Sequence, residues 1–109
     1  MLDLPGGFVD INETLEEGMI REIDEELGVT IAVEKLTYLG STVDEYEHGG
    51  IESRTINAMY TAPLSENVHI VPADYVASIL WVDVNAIKYE TIAFKGVATF
   101  MQSYFSSKV

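Results

Sequence analysis

Glu22, Glu25 and Glu26 stand at i, i+3 and i+4 within Arg21-Glu22-Ile23-Asp24-Glu25-Glu26-Leu27-Gly28-Val29. On a helix this spacing projects all three carboxylates from one side, within a sector of roughly 100°. Like charges on adjacent turns repel, which costs helix stability unless a cation sits among them. Hard divalent cations with oxygen ligands, Mg²⁺ above all and Mn²⁺ beside it, suit such a cluster. Three glutamates alone describe any solvated acidic helix face, so the weight falls on the residues around them.

The flanking sequence supplies the helix. Thr14 followed by Glu17 is a capping-box signature for its start, and Gly28 is a stop just past its end. Leu15, Met19, Ile23 and Leu27 recur every fourth residue between them and form an apolar stripe beside the carboxylates. Gly18, four residues before Glu22, lies on the carboxylate side and is expected to keep that side open. Upstream, Pro5-Gly6-Gly7 permits a tight turn and a close backbone approach to a ligand.

Read whole, Gly7–Val29 is GFVDINETLEEGMIREIDEELGV, and it resembles the Nudix box, GX5EX7REUXEEXGU with U aliphatic. All nine fixed positions are filled, by Gly7, Glu13, Arg21, Glu22, Ile23, Glu25, Glu26, Gly28 and Val29. At average residue usage such a match arises by chance less often than roughly once in 10⁸ start positions.

The resemblance implies a site and a reaction. Glu22, Glu25 and Glu26, with the backbone carbonyl of Gly7, would hold the metal. Glu13 and Arg21 would pair and brace the loop before the helix. The implied chemistry is hydrolysis of a nucleoside diphosphate linked to a further group: a nucleotide sugar, a dinucleoside polyphosphate, ADP-ribose or a nucleoside triphosphate. The general base is a box glutamate in some relatives and a later glutamate in others. Here the stretch matching that later position carries only Asp74, with Glu66 and Glu90 as further candidates. Tyr46 resembles a marker of dinucleoside polyphosphate hydrolases. Val43 and Asp44 stand where ADP-ribose hydrolases carry a proline, and the motif of NADH hydrolases is absent. The alternative is a catalytically weak or inactive nucleotide-binding or assembly domain. The intact set of mutually repelling carboxylates argues for the enzyme.

Composition narrows the partners. A chain of 109 residues is expected to form one domain, 1–109. Six basic against eighteen acidic residues give a net charge of −12, which repels nucleic acid polymers. Within the box, eight acids face one Arg21, so a phosphorylated substrate also meets repulsion unless metal ions intervene. No apolar run is long enough to span a membrane. With no cysteine and no leader pattern, a cytoplasmic location is the expectation.

Periodicity predicts strands at 1–9, 29–33, 36–43, 51–62, 68–71 and 77–84, the last strongly buried. A polar hairpin loop is predicted over 44–50, and a short helical turn over 85–89. Over 90–109, Phe94, Val97, Ala98, Met101, Tyr104 and Phe105 give a second amphipathic helix. His48 and His69 read as loop histidines rather than ligands. Strands between two helices predict an α/β (α+β) fold, a mixed sheet with a helix on each face. This agrees with the α/β/α sandwich of the Nudix resemblance. Only six residues precede Gly7, so the sheet is expected to be N-terminally shortened, with its open edge covered in a homodimer.

Overall fold

The computed structural model describes residues 1–107, and of Tyr46 and His48 the backbone only. The Tyr46 expectation therefore lies outside the described side chains. Two helices, α1 (Leu15–Leu27) and α2 (Lys95–Ser106), accompany an antiparallel hairpin of β1 (Thr37–His48) and β2 (Ile51–Thr61). The chain is α+β, as the sequence predicts. Two compact units are distinguished, 1–3 with 40–59 and 81–109, and 4–39 with 60–80.

In the second unit, α1 forms where its signals place it. Thr14 Oγ1 accepts from the Glu17 amide at 3.1 Å, and Glu17 Oε1 accepts from the Thr14 amide at 2.9 Å. Gly28 closes the helix in the left-handed region at φ 66°, where other residues are strained. The apolar stripe is only half covered: Met19, Ile23 and Leu27 are partly buried and Leu15 is exposed. After the helix, Val29 and Ile31 are buried, but 29–33 is irregular and passes into a 3₁₀ turn at Val33–Lys35. Here Tyr60 lies edge-on to Tyr38, with ring centroids 5.4 Å apart.

In the first unit, the hairpin turn is tighter than the sequence suggests. The strand continues through His48, and only Gly49 and Gly50 remain as loop, at φ 60° and 81°. Positive φ at both central residues is the type I′ requirement, whose twist matches the paired strands. The two-residue loop sets Thr42 opposite Asn57 and Asp44 opposite Thr55. The face bearing Gly40, Thr42, Asp44, Asn57 and Met59 receives α2. A Cβ on Gly40 would lie 2.9 Å from the Phe100 ring. Val97 and Met101 of α2 are buried, and Phe94, Ala98, Tyr104 and Phe105 are half-buried, so the predicted stripe is the packing face.

The remaining predicted strands do not form. A strand needs a neighbour to take its N–H and C=O groups, and among the described residues β1 and β2 pair only with each other. Segment 1–9 makes a single parallel bridge, Leu2 to Ile92, through bonds of 2.8 and 2.7 Å. Segment 77–84 is irregular rather than a buried strand, with Leu80 64% and Trp81 69% exposed. The turn predicted over 85–89 is two 3₁₀ turns, Val84–Ala86 and Tyr89–Thr91.

Asp44 is the buried charged side chain of this face, 7% exposed. Its Oδ1 accepts from the Gly96 amide at 2.7 Å and its Oδ2 from Asn57 Nδ2 at 3.1 Å. It thus caps the N-terminus of α2, where Phe94 offers no side-chain cap. Asp44→Ala leaves these donors unpaired and should lower unfolding stability by about 1–3 kcal/mol. Urea denaturation checks this, and an unchanged midpoint would mean that α2 does not rely on the strand for its cap.

Candidate active site

The box residues converge through one cation. Arg21 presents its guanidinium to Glu13 as a fork: Nε donates to Oε2 at 2.6 Å and Nη2 to Oε1 at 3.0 Å. Nη2 also donates to the Phe8 carbonyl at 3.0 Å, and Nε lies 3.3 Å from Asp10 Oδ2. The expected brace between Glu13 and Arg21 is thus formed, and it ties the loop to the helix. Glu13 Oε1 further accepts the Asp10 amide at 2.7 Å. Between them, Asn12 adopts φ 72°, a left-handed conformation that asparagine tolerates better than most residues.

These contacts set the charge states. Hydrogen bonds from Arg21 and then from the Asp10 amide hold the Glu13 carboxyl below its ordinary 4.5. The Arg21 guanidinium is pushed further up from its already high value, first by Glu13, against the opposing cost of desolvation. The pair remains charged at every accessible neutral or basic pH.

The carboxylate face is built on the same guanidinium. Arg21 Nη1 donates to Glu22 Oε1 at 2.9 Å and to Glu25 Oε2 at 3.2 Å, so two of the three glutamates meet at one nitrogen. The third, Glu26, accepts the Gly6 amide on Oε1 at 3.2 Å. A Cβ on Gly7 would lie 2.6 Å from the Glu22 carboxyl carbon, so a side chain there would push the Glu22 carboxylate out of its place. Gly18 serves differently from expectation. Its bare Cα is filled by Val9, whose Cγ1 would be 2.6 Å from an added Cβ, so it seats the loop rather than keeping the carboxylate side open.

The donor set of carboxylates beside a glycine turn suits a hard divalent cation. Among the described residues, however, no three acidic or histidine side chains converge as a metal-holding group. Glu22 and Glu25 turn towards Arg21 and Glu26 towards the loop amide, which accounts for the spread.

The segment after β2 borders this face. The Val71 and Ala73 amides donate to the Leu27 and Glu26 carbonyls at 2.8 and 2.9 Å, satisfying the open end of α1. Of the expected strand 68–71, Val71 thus spends its amide on α1, while the Val68 amide donates to the Ser65 carbonyl at 3.0 Å. The Val76 amide closes a turn onto the Ala73 carbonyl at 2.9 Å, with Asp74 and Tyr75 at its tip. Both are exposed. Glu66 is exposed on a separate turn of the same unit, and Glu90 lies in a 3₁₀ turn of the other unit. Sequence reasoning missed Tyr75. Its phenol is raised by desolvation and then by the charges of Glu26, Glu25 and Glu22. An aromatic next to Asp74 was the available signal, but no periodicity separates it from a loop tyrosine.

A pH profile tests the brace. Because the folded Glu13 pKa is depressed, its contribution is whole above 4.5 and is lost as pH falls through the lower folded value. Glu13→Gln should therefore melt below wild type at neutral pH, and the two melting curves should converge on strong acidification. A melting difference independent of pH would place the brace's effect elsewhere than in the ion pair.

Comparison with known proteins follows this geometry. A model of the NUDIX domain matches residues 1–102. An ADP-ribose pyrophosphatase of Methanocaldococcus jannaschii is 44% identical over 50 residues, 46% of this chain and 30% of that protein. A U8 snoRNA-decapping enzyme of Ovis aries is 40% identical over 68 residues, covering 59% of this chain and 32% of that one. Its counterpart from Xenopus laevis is 47% identical over 49 residues, 41% and 23% of the two chains. The chain thus spans about a third or less of the curated relatives it matches. No solved structure matches it. With the domain matched over nearly its whole length and the box assembled around Arg21, this chain belongs to the Nudix family.

Proposed function

We propose that the chain hydrolyses a pyrophosphate bond in a nucleoside diphosphate linked to another group, with a divalent cation, Mg²⁺ or in its place Mn²⁺. The observation that carries this reading is the placement of Glu22, Glu25 and Glu26 against Arg21 and the Gly6-Gly7 turn. Those glutamates and the Gly7 carbonyl are the proposed ligands. When bound, the cation neutralises phosphate charge and lowers the pKa of a coordinated water. Arg21 aims Glu22 and Glu25 by its hydrogen bonds, and the Gly6 amide orients Glu26. Water attacks one phosphorus, the bond to the bridging oxygen breaks, and the other phosphate leaves. A carboxylate takes the proton of that water: a box glutamate, or Asp74 from the turn anchored at Glu26.

The relatives named for ADP-ribose and for snoRNA caps support a diphosphate as the shared chemistry. A net charge of −12 favours a small nucleotide over an RNA chain, whose many phosphates would be repelled. No helix among the described residues is long and apolar enough to cross a membrane, and a cytoplasmic setting belongs to the same proposal. The second reading, a binding domain with little activity, draws on the occupation of Glu22 and Glu25 by Arg21.

We further propose a homodimer. Trp81, Val82 and Val84 leave apolar surface exposed, which a second copy would cover. Charge repulsion between copies opposes it, so salt should strengthen the dimer by screening. Light scattering should return twice 12.1 kDa at high salt. A monomer at all salt concentrations would refute the pairing.

Two measurements test the activity. Glu26→Gln should lower phosphate release from a nucleotide panel on the order of 10²–10³-fold, the cost of losing one preorganised electrostatic group. Asp24→Asn is the control, because Asp24 is exposed and outside the proposed ligand set. Equal losses would remove the box from the centre of the chemistry. Millimolar Mg²⁺ should also raise Tm in wild type and much less in Glu26→Gln, because ligand binding to the folded state alone adds stability.

A further inference from the structure

We propose that Tyr75 contacts the substrate of the carboxylate site, its ring stacking on the nucleobase of the bound nucleoside diphosphate. The inference rests on the pyrophosphohydrolase reading and extends it to the part of the substrate away from the phosphates.

Placement comes first. The turn that carries Tyr75 hangs from the end of α1 by two backbone bonds, Val71 to Leu27 and Ala73 to Glu26. The second ends on the carbonyl of a proposed ligand residue, so the turn and Glu26 share one rigid anchor. The Ala73–Val76 bond then fixes the tip, two residues beyond that anchor. Tyr75 therefore has a defined position relative to the carboxylates, unlike a side chain on a free loop.

The state of the side chain comes next. A tyrosine held for packing buries its ring and finds a partner for its hydroxyl. Tyr60 in the same unit is half-buried, with its ring edge-on to Tyr38. Tyr75 instead leaves 70% of its surface exposed. Packing does not account for it.

Chemistry then selects the ligand. A tyrosine phenol is neutral near pH 7. A neutral hydroxyl among carboxylates adds little for a phosphate, whose charge needs a cation. An exposed aromatic face offers much more to a flat heteroaromatic ring, and stacking of this kind tolerates different bases. Diphosphate on the carboxylates and base on Tyr75 divide one nucleotide between two kinds of contact.

The experiment compares ADP with inorganic pyrophosphate, in the presence of Mg²⁺, by calorimetric titration and by the NMR shifts of the Tyr75 ring. ADP should shift the ring resonances upfield and pyrophosphate should not. Tyr75→Ala should weaken ADP binding about 5- to 150-fold, the range that base stacking supplies, and leave pyrophosphate binding unchanged. Tyr75→Phe should keep wild-type affinity, since it keeps the ring. Unchanged ADP affinity in Tyr75→Ala, beside a wild type that cleaves nucleotides, overturns the stacking role and leaves the hydrolase reading standing. Equal weakening of both ligands overturns it as well, by assigning Tyr75 to the structure of the site. A wild type that binds neither ligand and cleaves no nucleotide would end both proposals together.

Discussion

The site depends on Arg21. One guanidinium serves Glu13, Glu22, Glu25 and the Phe8 carbonyl by hydrogen bonds, with Asp10 close by. A lysine could not replace it. Its ammonium would supply charge, but not the planar fork that grips both oxygens of Glu13 while another nitrogen reaches Glu22 and Glu25. Each of these exposed or half-exposed pairs is worth little on its own. Their value is geometric, because the same group that fixes the entry loop also fixes two of the three glutamates. The glycine turn and the acidic face are consequently positioned by one side chain.

That coupling explains two glycines that propensity alone would disfavour in their places. Gly18 sits inside a helix, where glycine costs about 1 kcal/mol relative to alanine. The space it leaves is taken by Val9, so the loop lies flat enough for Phe8 to offer its carbonyl to Arg21. Gly7 lets the same loop run against Glu22. Local helix stability is given up to bring loop and helix to contact distance, and Arg21 then locks the contact.

Much of this was legible in the sequence because its signals are local. The capping box, the Gly28 stop and the brace between Glu13 and Arg21 depend on residues a few positions apart, and each forms. The face of α2 was likewise readable from its 3.6-residue period. Strands were less so, because a strand is defined by its neighbour. Ala77–Val84 has the composition of a buried strand, yet nothing in its own residues says whether a ladder partner exists. The Gly49-Gly50 turn is hidden for a related reason: polar residues at 44–48 look like loop, while the strand runs through them and the paired positive φ values close the hairpin. Asp44 shows the cost of that error, since it read as loop and is the buried cap of α2.

The end of α1 breaks a helix rule. Its last turn holds Asp24, Glu25 and Glu26 and no basic residue, so negative side chains crowd the negative end of the macrodipole. A helix selected for stability alone would carry lysine or arginine there. Its open carbonyls are met instead by the Val71 and Ala73 amides, neutral donors that complete the backbone without cancelling the acidic charge. The stability lost to electrostatics is thus offset by hydrogen bonds from another segment, and the carboxylates keep their field. Such a conflict between local preference and arrangement is expected at functional sites. It concentrates negative charge at the C-terminal turn of α1, beside the turn that carries Tyr75.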